Sequence, residues 1–267
     1  MSAAADVILI SWNGLTDTVR ALESLRSQTS ALRAAGHDLQ ITVVDNGSSD
    51  NTERVIRSSF PKVRLLRLEE NRGFTGGIAH AARSSEADAL IFLNNDAVVE
   101  PGWLGEMLDI LLTAPDDVIA ASGRMVDPTG TLADFVRGVM TFDGHGFQPG
   151  FRQPLEKVDE PPDGSEILFP CGGNMIVKRK AFLDLGGFDE DYFAYLEDVD
   201  FGWRAWLSGW RVLYTSRAVV RHRSSATSER LGHFERGVLF EKNAMQTFLK
   251  NIDDDLLGSF SGPFFLT

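Results

Sequence analysis

The first hundred residues repeat one pattern. Four apolar runs, Val7 to Ser11, Ile41 to Val44, Val63 to Leu68 and Ala89 to Leu93, each end in a polar turn rich in Gly, Asn or Asp. After the first three turns comes a stretch with helical character, Leu15 to Arg26, Asn51 to Ser58 and Gly76 to Arg83. In the first of these, Leu15, Val19, Leu22 and Leu25 recur every three or four positions. Short apolar runs bounded by turns predict strands. Their alternation with helices predicts a mainly parallel sheet covered on both faces, an α/β fold of Rossmann-like type. Such sheets bind ligands beyond the carboxyl ends of their strands, where the connections diverge. The turns there read Trp12-Asn13-Gly14, Asp45 to Asp50, Asn71-Arg72-Gly73-Phe74 and Asn94-Asn95-Asp96-Ala97.

The second half is less regular. Asp127 to Ser165 is rich in Gly, Pro and Asp and reads as short strands or a mobile loop. A strand at Asn174 to Val177, a short helix near Ala181 to Leu185 and a helix from Glu197 to Leu207 follow. Strands at Val212 to Tyr214 and Ala218 to Val220 precede a last helix from about Arg230 to Asn251. Its Phe234, Val238, Phe240, Met245 and Phe248 predict a face packed on the core.

Composition narrows the partners. A chain of 267 residues, 43% hydrophobic, suffices for one substantial core. A net charge of −12 argues against nucleic acid or an anionic surface as a partner, so an anionic ligand needs a local cation, which a bound metal can supply. The single Cys171 excludes an intrachain disulfide and reads as a small buried residue. The amino terminus lacks a secretory pattern and no window approaches the roughly 20 apolar residues of a membrane span. A cytoplasmic protein is expected, with peripheral contact to a membrane left open.

Several residues carry candidate chemistry, each with a plainer alternative. Asp96 ends a strand, where a carboxylate can hold Mg2+ or Mn2+ against a diphosphate; the alternative is a polar turn before the helix near Pro101. Asp45 can accept from a nucleobase imide, or can merely cap the following helix. Glu197 and Asp198 are adjacent, so on a helix they diverge by about 100° and cannot do the same job; the alternative is a pair of acids favoured by the helix dipole. His222, between Arg221 and Arg223, can complete a metal site or lie in a solvated basic turn. Gly73, Gly76 and Gly77 would allow close approach of phosphate, without the Gly-Lys-Ser/Thr of a P-loop. Trp203, Trp206 and Trp210 suit the core better than a sugar platform.

Taken in order, VVDNGSSDNT (43–52), NRGFTGG (71–77), LNNDAVVEPGWL (93–104) and GGFDEDYFAYLEDVDFGWRAWLSGW (186–210) resemble the family 2 glycosyltransferases of the GT-A fold, over about residues 5–250. The last motif is most similar to bacterial rhamnosyltransferase-like members that build surface polysaccharide. The resemblance implies an inverting transfer from a nucleotide-sugar donor, of dTDP-rhamnose or UDP-hexose type, to a glycan or lipid-linked acceptor. It implies Mn2+ or Mg2+ held by Asp96 and His222, Asp198 as general base, and Glu197 orienting the base or the acceptor. Donor contacts would come from Ser11, Asn13, Asp45, Asn71, Gly73, Gly76, Asn95 and Asp96, and acceptor contacts from Gly172, Gly173 and Trp203. It divides the chain into a GT-A domain over 1–228, with a nucleotide-sugar half (1–125) and an acceptor half (126–228), and a helical extension over 229–267.

Two departures stand out. Asn94 replaces the first acid of the family's Asp-X-Asp motif, and Ile78, Ala79 and His80 stand where relatives often carry asparagines. Two other functions fit the same sheet. A sugar nucleotidyltransferase would carry a Gly-rich, basic loop after the first strand, where this chain has Ser11-Trp12-Asn13-Gly14. A non-catalytic nucleotide- or glycan-binding module would bind donor without turnover.

Overall fold

In a computed structural model of the chain, residues 4–224 and 232–258 are described. The predicted alternation is present. β1 (Ala4–Ser11), α1 (Leu15–Ala34), β2 (Asp38–Asn46), α2 (Thr52–Ser59), β3 (Arg64–Leu68), α3 (Gly73–Ser84) and β4 (Ala89–Leu93) follow one another. β1 pairs in parallel with both β2 and β4, and β2 with β3. The chain therefore runs outward from β1 to β3 and returns to the other side of β1 at β4. That reversal leaves a crevice between the ends of β1 and β4, where Thr18 accepts a 3.1 Å hydrogen bond from Asn95.

The remaining strands are β5 (Ala97–Val99), β6 (Val118–Val126), β7 (Ala133–Phe135), β8 (Val139–Met140), β9 (Gly146–Phe147), β10 (Asn174–Lys178) and β11 (Arg211–His222). They extend the sheet to the order β3-β2-β1-β4-β10-β6-β11-β5, with β7 beside β6 and β8-β9 a separate hairpin. β10 is antiparallel to both β4 and β6, which makes the sheet mixed. α4 (Trp103–Leu112) presses Trp103 fully into the core, its indole N–H donating to Asn174 Oδ1 at 2.8 Å.

Three elements differ from expectation. β6 is buried almost throughout, yet its Ala120-Ala121-Ser122-Gly123 centre lacks the β-branched residues that mark a strand. β11 is one strand where two were expected; a register shift between Thr215 and Val219 accommodates the polar Ser216 and Arg217. The 127–165 segment is pinned to the sheet by Arg124, which makes a two-pronged ion pair with Glu160 at 2.6 and 2.8 Å.

α5 (Arg179–Asp184), α6 (Glu197–Leu207) and α7 (His233–Asn251) complete the fold. The expected start of the last helix at Arg230 and the boundary at 228/229 lie outside the described residues. Of its apolar stripe only Phe248 is fully buried and Phe240 partly so, while Phe234, Val238 and Met245 are exposed. The buried face is instead Asn243, Ala244, Thr247, Phe248 and Asn251, again at helical spacing. Burial of these polar residues is offset by partners, Thr247 with the Tyr192 hydroxyl at 2.8 Å, Asn251 with Asp200 at 3.0 Å and Asn243 through its amide nitrogen, while Asn243 Oδ1 is buried with no partner among the described residues. Among the described residues no helix is long and apolar enough to cross a membrane.

Candidate active site

One cleft of about 440 Å³ opens at the strand ends. Its lining combines two groups of residues, Asn71, Gly73, Asn94, Asn95 and Asp96 together with His222, and Gly172, Gly173, Glu197 and Asp198. Sheet topology makes this meeting. β5 begins immediately after Asp96 and runs antiparallel to the end of β11, pairing Ala97 with His222. His222 Nε2 then lies 3.0 Å from Asp96 Oδ1.

The other imidazole nitrogen, Nδ1, lies 2.7 Å from Asp134 Oδ2, and Ser224 Oγ donates to the same oxygen at 2.5 Å. Burial works against charge on His222, but the hydrogen bonds to Asp134 and Asp96 outweigh it and push the imidazole up to about 10. Asp134 was invisible in the sequence, one acid in a three-residue strand within a segment of no clear period. A carboxylate fixing the far nitrogen of a histidine whose near nitrogen faces a second carboxylate is the arrangement that orients metal-binding imidazoles. Nε2 can take a cation only by giving up the proton it shares with Asp96; on that exchange, one carboxylate oxygen and one imidazole nitrogen fit a divalent cation that takes its other ligands from phosphate oxygens and water.

Gly172 and Gly173 join the two groups. The Gly172 N–H donates to Asp198 Oδ2 at 2.9 Å, and the Asn94 N–H donates to the Gly173 carbonyl at 3.0 Å. A Cβ on Gly173 would sit 2.4 Å from Asn94 Nδ2, so only glycine permits the approach. Cys171, next in line, is half-buried at the cleft wall with Sγ 3.0 Å from Met125 Sδ. Burial and the neighbouring Asp198 charge push its thiol well above the ordinary range, which disfavours the thiolate.

Glu197 and Asp198 open α6 from the cleft wall. Burial raises the Asp198 carboxyl above the ordinary carboxylate range, against the lowering effect of the Gly172 and Val199 N–H groups. Burial and the neighbouring Asp198 charge raise Glu197 further still. Glu197 Oε2 is buried with no hydrogen-bond partner among the described residues. The two acids thus sit in different protonation environments, one suited to accept a proton near neutrality and one suited to keep its own.

The segment before them is strained. Phe193, Tyr195 and Leu196 adopt φ of 64, 73 and 63°, a region that costs non-glycine residues about 1–3 kcal/mol each. Phe193 packs on the glycine loop, its carbonyl accepting from the Thr75 N–H at 3.2 Å. Gly73, at φ 72°, is required there, since a Cβ would meet the Phe193 oxygen at 2.3 Å.

Five expected contact residues stand off the cleft wall. Ser11 is buried with Oγ 2.8 Å from Thr18 Oγ1, and Asn13 Oδ1 accepts from the Ser49 N–H at 2.7 Å. Asp45 is fully buried, one oxygen held by Arg67 and the other by the Ser48 N–H at 3.0 Å. Gly76 faces Arg72 within α3. Trp203 lies five positions beyond Asp198, about 140° around α6 and away from the cleft. The cleft has an apolar stretch as well, with Phe147, Phe151 and Phe240 among its lining.

Comparison with known proteins shows the family and the fold of the chain. The family described as "Glycosyl transferase family 2" matches residues 6–186, and "Glycosyl transferase family group 2" matches 163–250. An N-acetylglucosaminyl-diphospho-decaprenol L-rhamnosyltransferase of Mycobacterium tuberculosis is 29% identical over 74% of this chain and 70% of its own length. The O-antigen biosynthesis protein RfbC of Myxococcus xanthus is also 29% identical, over 82% of this chain; the chain spans only 17% of that protein. Among solved structures, GalNAc-T7 with UDP, GalNAc and Mn2+ superposes with a TM-score of 0.65 at 16% identity, covering 83% of this chain and 44% of that one. The fold is that of the GT-A glycosyltransferases.

Proposed function

This chain belongs to glycosyl transferase family 2 and is a glycosyltransferase using a nucleotide-sugar donor; on that premise we propose an inverting transfer to a hydroxyl of a glycan or lipid-linked acceptor in surface polysaccharide synthesis. The observation that carries the reading is that the Asp96–His222 pair and the Glu197–Asp198 pair line one cleft together with Gly173 and with Gly172, whose N–H bonds Asp198.

In this reading Asp198 takes the proton of the acceptor hydroxyl while that oxygen bonds the anomeric carbon and the bond to the diphosphate breaks. Glu197, protonated, orients the acceptor by donating a hydrogen bond. Asn71, Gly73, Asn94 and Asn95 border the donor. Asp45, with Arg67, Ser11 and Asn13, acts one layer behind, fixing the turn that the nucleobase meets, and Gly76 lets α3 begin close to it. Asp96 and His222 would hold Mn2+ or Mg2+, a cation which supplies positive charge to the departing diphosphate. Residues 1–125 then form the nucleotide-sugar half and 126–228 the acceptor half, with Phe147, Phe151 and Phe240 as an apolar acceptor wall in place of Trp203. The name of the mycobacterial relative supports dTDP-rhamnose as the first donor to try, ahead of UDP-hexoses. It also supports a lipid-linked acceptor, which the chain would meet by peripheral contact at the inner face of a membrane.

A thermal-shift screen of dTDP-rhamnose, UDP-glucose, UDP-galactose and GDP-mannose, each with and without manganese, tests this reading. One nucleotide class should raise the unfolding temperature, and more so with metal; at a hundredfold excess over Kd the stabilisation is about 2.7 kcal/mol. If no donor shifts the transition with or without metal, the donor reading is wrong.

The pH profile supplies a second test. A base must be unprotonated to act, so kcat/KM should rise with pH through the raised Asp198 value of about 6. Below that value it should fall about tenfold per pH unit. A profile flat from pH 5 to 7 at saturating manganese would exclude Asp198 as the base.

A further inference from the structure

We propose that Asn243, on α7, is a positioning residue: it holds the strained 192–196 segment and so sets Glu197 and Asp198 against Gly172 and the glycine loop. This rests on Asp198 being the base. The Asn243 side chain is fully buried. Its amide nitrogen lies 3.0, 2.9 and 2.8 Å from the carbonyl oxygens of Tyr192, Ala194 and Tyr195. Turned the other way, its oxygen would face three carbonyl oxygens, so the hydrogen-bond network itself fixes the orientation.

Those three carbonyls are thrown together by the left-handed backbone at Phe193, Tyr195 and Leu196. Facing carbonyls repel; the Tyr192 carbonyl also accepts from the Ala194 N–H at 2.7 Å, and one carboxamide from a distant helix gathers all three. Strain of this kind persists only where surrounding groups over-determine it. What it secures is local. Phe193 lies on Gly73 and accepts from Thr75, and two residues beyond Tyr195 the chain reaches Glu197 and Asp198. Asn243 therefore sits behind the only described link between the donor-side loop and the two acids that runs through this segment. The reach of α7 into the active site also explains why its buried face is polar.

The test compares Asn243→Ala with Thr247→Val. The second change loosens the same helix by removing the hydroxyl contact to Tyr192, and touches none of the three carbonyls. Rates are read as nucleoside diphosphate release from whichever of dTDP-rhamnose, UDP-glucose and UDP-galactose is turned over fastest, well below the unfolding temperature. Asn243→Ala should lower kcat about tenfold or more with the donor KM unchanged, as displaced reacting groups do. Thr247→Val should stay within about twofold of the parent, the size of effect expected where geometry is kept. Without substrate, amide exchange at Gly172, whose N–H bonds Asp198, and at Thr75, whose N–H bonds Phe193, should quicken in Asn243→Ala and not in Thr247→Val. Should Asn243→Ala not fold, Asn243→Ser, which keeps one donor, should show the same signs at smaller size. Equal kcat losses in the alanine and valine variants, or unchanged exchange at Gly172, overturns the proposal. Asp198→Asn run alongside separates the two ideas: if it retains turnover the base assignment fails, and the exchange arm alone decides the role of Asn243.

Discussion

Asp198→Asn should leave donor binding intact and lower transfer by about 10² to 10⁴, the contribution of a positioned general base. That is about 3–5 kcal/mol in the barrier at 1.36 kcal/mol per decade. The substitution keeps the shape of the side chain and an oxygen that can still accept the Gly172 N–H, now 2.9 Å from Asp198 Oδ2, but turns an NH2 toward the Val199 N–H, which now bonds Oδ1 at 2.9 Å. The cleft keeps its shape at the cost of that one contact. The substitution also removes a buried negative charge beside Glu197, whose own carboxyl the Asp198 charge helps to raise. Glu197 should then lose its proton at lower pH than in the parent, and the relief offsets the lost Val199 contact, so the unfolding temperature should stay close to the parent's. Measured together, donor-induced thermal shift unchanged, unfolding temperature close to the parent's and transfer reduced at least a hundredfold would isolate the chemical step. Near-normal turnover would reject Asp198, and a lost thermal shift would mean that the carboxylate belongs to the donor site instead.

The parts of this molecule that could be read from the chain are those whose signal is local. β1 through β4 and their helices announce themselves by period, and Asp96, Glu197, Asp198 and His222 by position at the ends of such elements. β6 escaped because a strand buried on both faces needs no alternation and this one is built from small residues. Losing β6 also hid β7, and with it Asp134, which joins the site because β7 and the end of β11 pair with the same stretch of β6, Met125 and Val126. Asn243 escaped for another reason. Apolar residues on a helix usually mark its buried face. Here Phe234 and Val238 point outward, while an asparagine, a threonine and a second asparagine go inward to meet backbone carbonyls, a hydroxyl and a carboxylate. Trp203, which suited the core better than a sugar platform and was an acceptor contact only by resemblance, is not among the residues lining the cleft. Asp45 sits at the predicted strand end, and only side-chain placement shows that Arg67 and the Ser48 amide already take both of its oxygens.

Asp96→Asn should be the sharper probe of the metal site. The isosteric amide keeps the turn between β4 and β5 but withdraws one negative charge from the cleft, so a divalent cation binds more weakly there. Transfer should fall about 10²- to 10³-fold, as when a single group stabilising developing charge is lost. The manganese concentration for half-maximal activity should rise, and the donor-induced thermal shift should lose its metal dependence. His222 offers a poorer test. Its removal leaves Asp134 buried with only Ser224 to meet it, so any fall in activity would mix loss of a ligand with loss of stability. In Asp96→Asn the Asp134–His222 pair stays whole. The imidazole loses one of the two carboxylates that push it up to about 10, so it should lose its proton at lower pH than in the parent. That shift can be followed by NMR of the His222 ring without any substrate. An unchanged manganese curve together with a shifted His222 titration would show that Asp96 is coupled to the histidine but does not hold the cation. Both moving together is the result expected if the pair forms the metal site.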